Sequence, residues 1–115
     1  MPVIVYPVKD LDRAKKLYAT FLGVEPYADS PYYVGFRIGD MEYGLDPNGH
    51  SKGLTGPVAY ADVDDAAESL RRLVAAGATV LQPPSEVAPG LTVAIAADAD
   101  GNALGLRSAV ATQSA

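Results

Sequence analysis

Val8-Lys9-Asp10-Leu11-Asp12-Arg13-Ala14 and Val63-Asp64-Asp65-Ala66 open two stretches of the same kind, and they decide the fold. The first closes at Gly23 and the second at Gly77, an offset of 55 residues at the start and 54 at the end. Leu11, Ala14, Leu17, Tyr18, Phe21 and Leu22 keep three- and four-residue spacing, and so do Ala66, Ala67, Leu70, Leu73 and Val74. That spacing lays apolar side chains along one face of a helix. Asp10 and Asp65 are placed to accept hydrogen bonds from the free N–H groups of the first turn. Glu68, three residues after Asp65, is placed to complete a capping box. Gly23 and Gly77 suit the left-handed position that ends a helix. Lys15, Lys16, Arg71 and Arg72 read as a solvated face.

Outward from each helix the segments are short, β-branched or aromatic, and bounded by Gly, Pro and Asp. Residues 2–8 precede the first helix, and 24–29, 32–38 and 41–46 follow it. Residues 57–63 precede the second, and 78–82, 91–97 and 103–108 follow it. The pattern is strand, helix, three strands, written twice, which predicts an α+β class. The expected organisation is a first βαβββ module over 1–48, a linker over 49–56, a second module over 57–109 and a frayed tail over 110–115. The linker lies in a glycine-rich run beginning at Pro47.

Ile38-Gly39-Asp40-Met41 reads as a two-residue type II′ hairpin, with Gly39 taking the positive φ. The turn sets the register: Ile38 faces Met41, Phe36 faces Tyr43 and Val34 faces Leu45 on an apolar face. On the other face Arg37 meets Glu42, Gly35 meets Gly44 and Tyr33 meets Asp46. The apolar face belongs under a helix. The mixed face is either a cleft wall or plain solvent-exposed surface. Tyr6, Phe36 and Tyr43 have the parity of the helix side and are assigned to the core.

Composition narrows the classes of function. The 115 residues suit one compact domain or two small modules, with 49% hydrophobic and 20% charged residues. The net charge is −5, and the basic residues sit mainly on the two helices mixed with acids. A nucleic-acid surface needs clustered cations, so nucleic acid is not an expected partner, and neither is a membrane. No apolar run approaches a membrane span, and Met1-Pro2-Val3-Ile4-Val5 does not read as a signal peptide. The chain has no cysteine, hence no disulfide, thiolate nucleophile or sulfur ligand, which fits a cytoplasmic location. The only histidine, His50, falls in a polar loop, so no Ser–His–Asp or Cys–His arrangement is supported. Asp98 and Asp100 read as turn formers, and the glycines lack phosphate-loop spacing.

The doubled module resembles the vicinal-oxygen-chelate superfamily of glyoxalases, bleomycin-resistance proteins and dioxygenases. Val8-Lys9-Asp10-Leu11-Asp12-Arg13-Ala14 with Leu17-Tyr18 resembles its first-module signature. Asp98-Ala99-Asp100-Gly101-Asn102 is similar to its Asp-Pro-Asp-Gly hairpin, with Ala99 in place of the proline. The resemblance spans residues 2–108 and implies two tandem modules forming a curved mixed sheet around a cleft. Enzymes of the superfamily hold a divalent metal there through His, Gln or Glu, one from the first and one from the fourth strand of each module. By that correspondence the ligand positions are Val3, Val58, Gly105 and a residue at or near Gly44. None of these offers a side-chain donor. The resemblance therefore implies that the usual metal site is lost, with no cofactor expected and catalysis disfavoured.

Strand parity points Tyr33, Tyr60, Val93 and Ile95 into the cleft, with Gly105 adding depth. Arg37, Glu42, Asp46 and Arg107 are the polar groups expected to orient a ligand. Each has a plainer reading: Tyr33 and Tyr60 as sheet packing, Val93 and Ile95 as core, Arg37 with Glu42 as a surface pair of little energetic weight. The loop flanked by Pro83-Pro84 and Pro89-Gly90 is a candidate cover for the cleft mouth. The leading expectation is a metal-free binder or sequestering protein for a small, partly apolar or aromatic molecule. The alternatives are a lyase or dioxygenase with a displaced metal site, drawing on Asp46 and Glu42, and a structural or regulatory dimer. The resemblance also implies a homodimer.

Overall fold

The computed structural model describes residues 2–109. The tail expected at 110–115 lies outside the described residues. The chain divides into two compact units, Met1–Ala59 and Tyr60–Ala115, so the partition falls inside a strand. Among the described residues there are two α-helices and eight strands, and the class is α+β.

The first unit runs β1 (Val3–Pro7), α1 (Leu11–Leu22), β2 (Ala28–Asp29), β3 (Val34–Ile38) and β4 (Met41–Asp46). Its strands lie in the order β2-β3-β4-β1, with β4 and β1 parallel and the other neighbours antiparallel. The second unit takes up β5 (Val58–Asp62), α2 (Ala66–Ala75), β6 (Thr79–Ala88), β7 (Leu91–Ala97) and β8 (Ala103–Ala109). Its order is β5-β8-β7-β6. Each unit is thus a βαβββ module.

Both helices start as their caps dictate. The Asp10 carboxylate accepts from the Arg13 N–H and the Asp65 carboxylate from the Glu68 N–H, each at 3.1 Å. The reciprocal half of the capping box differs from expectation, because the Glu68 carboxylate turns to Arg71 and Arg72 on the next turn of α2. Charge attraction along the exposed helix face outcompetes the return to the cap. Gly23 (φ 74°) ends α1 and donates its N–H to the Ala19 carbonyl. Gly77 (φ 115°) ends α2, where Gly77 N–H reaches Val74 O and Ala78 N–H reaches Leu73 O, the paired bonds of a Schellman cap.

Each helix covers one face of its own strands. In the first unit Val34, Phe36 and Leu45 are fully buried, with Tyr6, Leu11, Ala14, Tyr18, Leu22 and Tyr43 packed around them. The stripe that faces the core is therefore 11, 14, 18, 19 and 22. Leu17 and Phe21, which the periodicity also admits, lie beside that stripe and are exposed. In the second unit Ala66 and Leu70 of α2 meet Ala94, Ala96 and Leu106.

The β3–β4 register is the expected one from Ile38 opposite Met41 to Val34 opposite Leu45, but the expected Tyr33–Asp46 pair does not extend it, because β3 begins at Val34 and the two side chains take other partners, Glu42 for Tyr33 and Asn48 and Lys52 for Asp46. Gly39 has φ 58°, and among the described residues none other than glycine has a positive φ, so Asp40 keeps the sign a II′ turn requires. Three segments depart from expectation. Residues 24–29 contribute only two strand residues, and 32–38 begin their strand at Val34. The proline-flanked cover is overturned: residues 79–88 form one strand, β6, that contains Pro83 and Pro84. β6 ends the strand order, and its pairing with β7 shifts register between Val80 and Gln82, between Gln82 and Ser85, and between Glu86 and Ala88. An edge strand tolerates proline at such irregularities because no second neighbour needs its missing N–H.

Candidate functional site

The face of the first unit away from α1 is built on two glycines. Gly35 of β3 and Gly44 of β4 are direct cross-strand partners, so a patch of bare backbone interrupts the side chains there. Two tyrosines lie on it. A Cβ at Gly44 would sit 2.6 Å from Tyr33 Cε1 and 2.7 Å from Tyr33 Cζ. A Cβ at Gly35 would meet Tyr27 Cε1 and Tyr33 Cε2, both at 3.0 Å. At Gly44 only glycine leaves room for the ring where it lies, while at Gly35 a side chain would make the rings give slightly.

Between the two rings stands Glu42, which is only 9% exposed. Tyr27 Oη donates to Glu42 Oε1 at 2.7 Å, and Tyr33 Oη donates to Glu42 Oε2 at 2.5 Å. A buried carboxylate is costly unless its oxygens accept hydrogen bonds, and here each oxygen has its own donor. The expected Arg37–Glu42 pair takes another form. The two residues are opposite in register, but the Arg37 guanidinium lies over the Tyr27 ring, 4.2 Å from its centroid. Tyr27 is the intermediary between the charges. Burial, the hydrogen bond to Glu42 and the nearby negative charge together raise the Tyr27 hydroxyl above its ordinary pKa of 10.0, against a smaller opposing pull from Arg37.

Glu42 is also the parallel partner of Val3, and Gly44 is that of Val5. The fourth-strand position beside Val3 is therefore Glu42 rather than Gly44. Asp46 stands apart from this cluster: its carboxylate accepts from the Asn48 N–H at 2.8 Å and pairs with Lys52 at 3.1 Å. It shapes the turn after β4. His50 is exposed in a short 3-10 turn, His50–Lys52, behind it.

In the second unit the residues expected on the site face do share one face, opposite α2. Val93 pairs with Arg107 and Ile95 with Gly105 across β7 and β8. Arg107 Nη1 donates to Asp62 Oδ1 at 2.9 Å, and Tyr60 lies on the Asp62 side of β5 by strand alternation. Ile95 is 1% exposed, a core residue by burial, whereas Tyr60, Val93 and Arg107 are half-buried.

The arrangement of modules, helices and hairpins agrees with a match to the family profile described as Glyoxalase/Bleomycin resistance protein/Dioxygenase superfamily, over residues 1–106. The chain belongs to that superfamily. Solved structures share its fold. A structure described as an NAD-dependent benzaldehyde dehydrogenase from Legionella pneumophila aligns with TM-score 0.75 and 18% identity, covering 95% of this chain and 99% of that one. A glyoxalase/bleomycin resistance protein/dioxygenase superfamily member from Vibrio splendidus 12B01 aligns with TM-score 0.69 and 14% identity, over 96% and 98%. The Mn(II)-bound glyoxalase from Novosphingobium aromaticivorans aligns with TM-score 0.64 and 24% identity, over 95% of this chain and 38% of its own. At these identities the likeness is one of fold. No curated protein matches the sequence.

The side chains of this superfamily member do not fit the metal that enzymes of its fold hold. Val3, Val58 and Gly105 carry no donor, and both oxygens of Glu42 already accept from phenols. Among the described residues no three His, Cys, Asp or Glu side chains converge. What the face offers instead is an anionic acceptor, two hydroxyl donors, two aromatic planes and a cation at the edge. Tyr27 was missed by sequence reasoning, because nothing local marks a tyrosine one residue ahead of a two-residue strand. Only the fold brings it to Glu42. Among the described residues no helix is long and apolar enough to cross a membrane.

Proposed function

We propose that this superfamily member binds a small, partly apolar or aromatic molecule on the Glu42 face of its first unit and holds it without transforming it. The reading is carried by one observation: a buried carboxylate bracketed by two tyrosine hydroxyls over a backbone floor, with Arg37 at the rim. Flat rings already lie on that floor, which has the shape and polarity of a site for an aromatic molecule with a hydrogen-bond donor. Tyr33, Arg37 and Glu42 are the contacts of this proposal, with Tyr27 added to them. Tyr60, Val93, Gly105 and Arg107 make a second candidate surface on their own unit, while Ile95 and Asp46 serve packing and turn structure. A cytoplasmic location and a homodimer belong to the same proposal, and sedimentation of the purified protein checks the latter.

A thermal-shift screen of planar aromatic compounds tests the reading. Saturable stabilisation of the wild type, weakened in Glu42→Gln and Arg37→Ala, is the expected result. No stabilisation across a broad library sinks it. Metal analysis of the purified protein guards the other side: stoichiometric metal that disappears in the Glu42→Gln/Asp46→Asn double variant would replace binding with metal-dependent chemistry.

A further inference from the structure

We infer that the ligand class of this face is phenolic, and that Tyr33 is an internal occupant of the phenol slot which a ligand displaces. The inference rests on the proposed binding role and specifies its chemistry. Tyr33 is itself a para-substituted phenol. Its ring lies on the Gly35–Gly44 floor, and its hydroxyl donates to Glu42 Oε2 at 2.5 Å. The floor therefore takes one aromatic ring lying against it and ends in an acceptor at the distance of a phenolic O–H. A second phenol, that of Tyr27, holds the other carboxylate oxygen at 2.7 Å and stays on the opposite side of Glu42.

The anchoring of Tyr33 sets how the slot opens. Ser30 Oγ accepts from the Tyr32 and Tyr33 N–H groups at 3.2 and 3.1 Å and donates to the Tyr33 carbonyl at 3.2 Å. Ser30 N–H reaches the same carbonyl at 3.0 Å. The main chain is pinned on both sides of the residue, so the ring leaves by side-chain rotation rather than by loop movement. Rotation of a partly exposed side chain is fast, and it uncovers the glycine floor with the Glu42 carboxylate still in place. An entering phenol replaces ring by ring and hydroxyl by hydroxyl, so the buried carboxylate regains the second donor that Tyr33 withdraws. An apolar ring without a hydroxyl leaves that oxygen unsatisfied, and this is the source of selectivity.

The test uses 4-methylphenol, the tyrosine side chain as a free molecule, against toluene. Tyr33→Ala should bind 4-methylphenol saturably and recover thermal stability with it, with toluene weaker by roughly tenfold or more, the factor for one hydrogen bond to a charged acceptor. Tyr33→Phe, whose ring covers the floor without donating to Glu42, should yield to 4-methylphenol more readily than the wild type and less readily than Tyr33→Ala. In the wild type, titration with 4-methylphenol should shift the amide resonances of Gly35 and Gly44 together with those of Tyr33, and this measurement carries the test if the alanine variant does not fold. Equal binding of toluene and 4-methylphenol by Tyr33→Ala, or wild-type shifts confined to other residues, overturns the phenol slot while leaving an aromatic-binding role intact. Failure of every aromatic to bind any of the proteins removes both.

Discussion

At the scale of single residues the decisive contacts are those of Gly44 and Glu42. Gly44→Ala puts a methyl group into the Tyr33 ring and should destabilise the protein by about 1–3 kcal/mol, the usual penalty of overpacking, measured by urea unfolding. Combining it with Tyr33→Ala should recover much of that loss, because the clash needs both partners. Glu42→Gln should bring the Tyr27 hydroxyl down toward the ordinary tyrosine range, since part of its raised pKa comes from the hydrogen bond to Glu42 and its charge. Tyrosinate absorbance during an alkaline titration, compared between the variant and the wild type, reads this directly. Strand parity alone puts Tyr33, Arg37 and Glu42 on one face, because side chains alternate with a period of two. The Tyr27 contact is invisible to that logic, as it depends on where a residue outside the hairpin comes to rest.

At the scale of elements the helix caps and the β3–β4 turn specify most of what forms. Asp10→Ala and Asp65→Ala should each cost about 1 kcal/mol, seen as lowered thermal midpoints, because each removes the acceptor for a first-turn N–H. Leu70→Ala, in the core under α2, should cost more, about 2–5 kcal/mol by denaturant unfolding. The hairpin register is legible because a two-residue turn leaves the strands a single alignment. β6 is illegible for the opposite reason. Its prolines are ordinarily strand breakers, and only its place at the end of the strand order makes them tolerable. The glutamate of the expected capping box is the instructive miss, since sequence spacing shows what Glu68 can reach but not which partner wins.

At the scale of the whole molecule the duplication is the legible feature, since the same motif spacing recurs in both halves and each half builds its own helix-covered core. Which polar groups meet on the open face depends on tertiary detail and is not. Tyr6, raised chiefly by burial, and Tyr27 both hold their protons more tightly than the ordinary value of 10.0. The folded state therefore binds more protons than the unfolded chain once the pH passes about 10, and stability should fall as pH rises through the folded values. Urea midpoints measured across alkaline pH check this, and a flat profile would contradict it. The two cores also differ in kind. The first is aromatic, with Phe36 ringed by Tyr6, Tyr18 and Tyr43, while the second is built largely of alanine and leucine. Six of the seven tyrosines and both phenylalanines fall in the first unit, and there is no tryptophan. Near-ultraviolet spectra of the intact protein thus report almost entirely on one half of the chain, giving a built-in, label-free gauge of that half while the far-ultraviolet signal follows both.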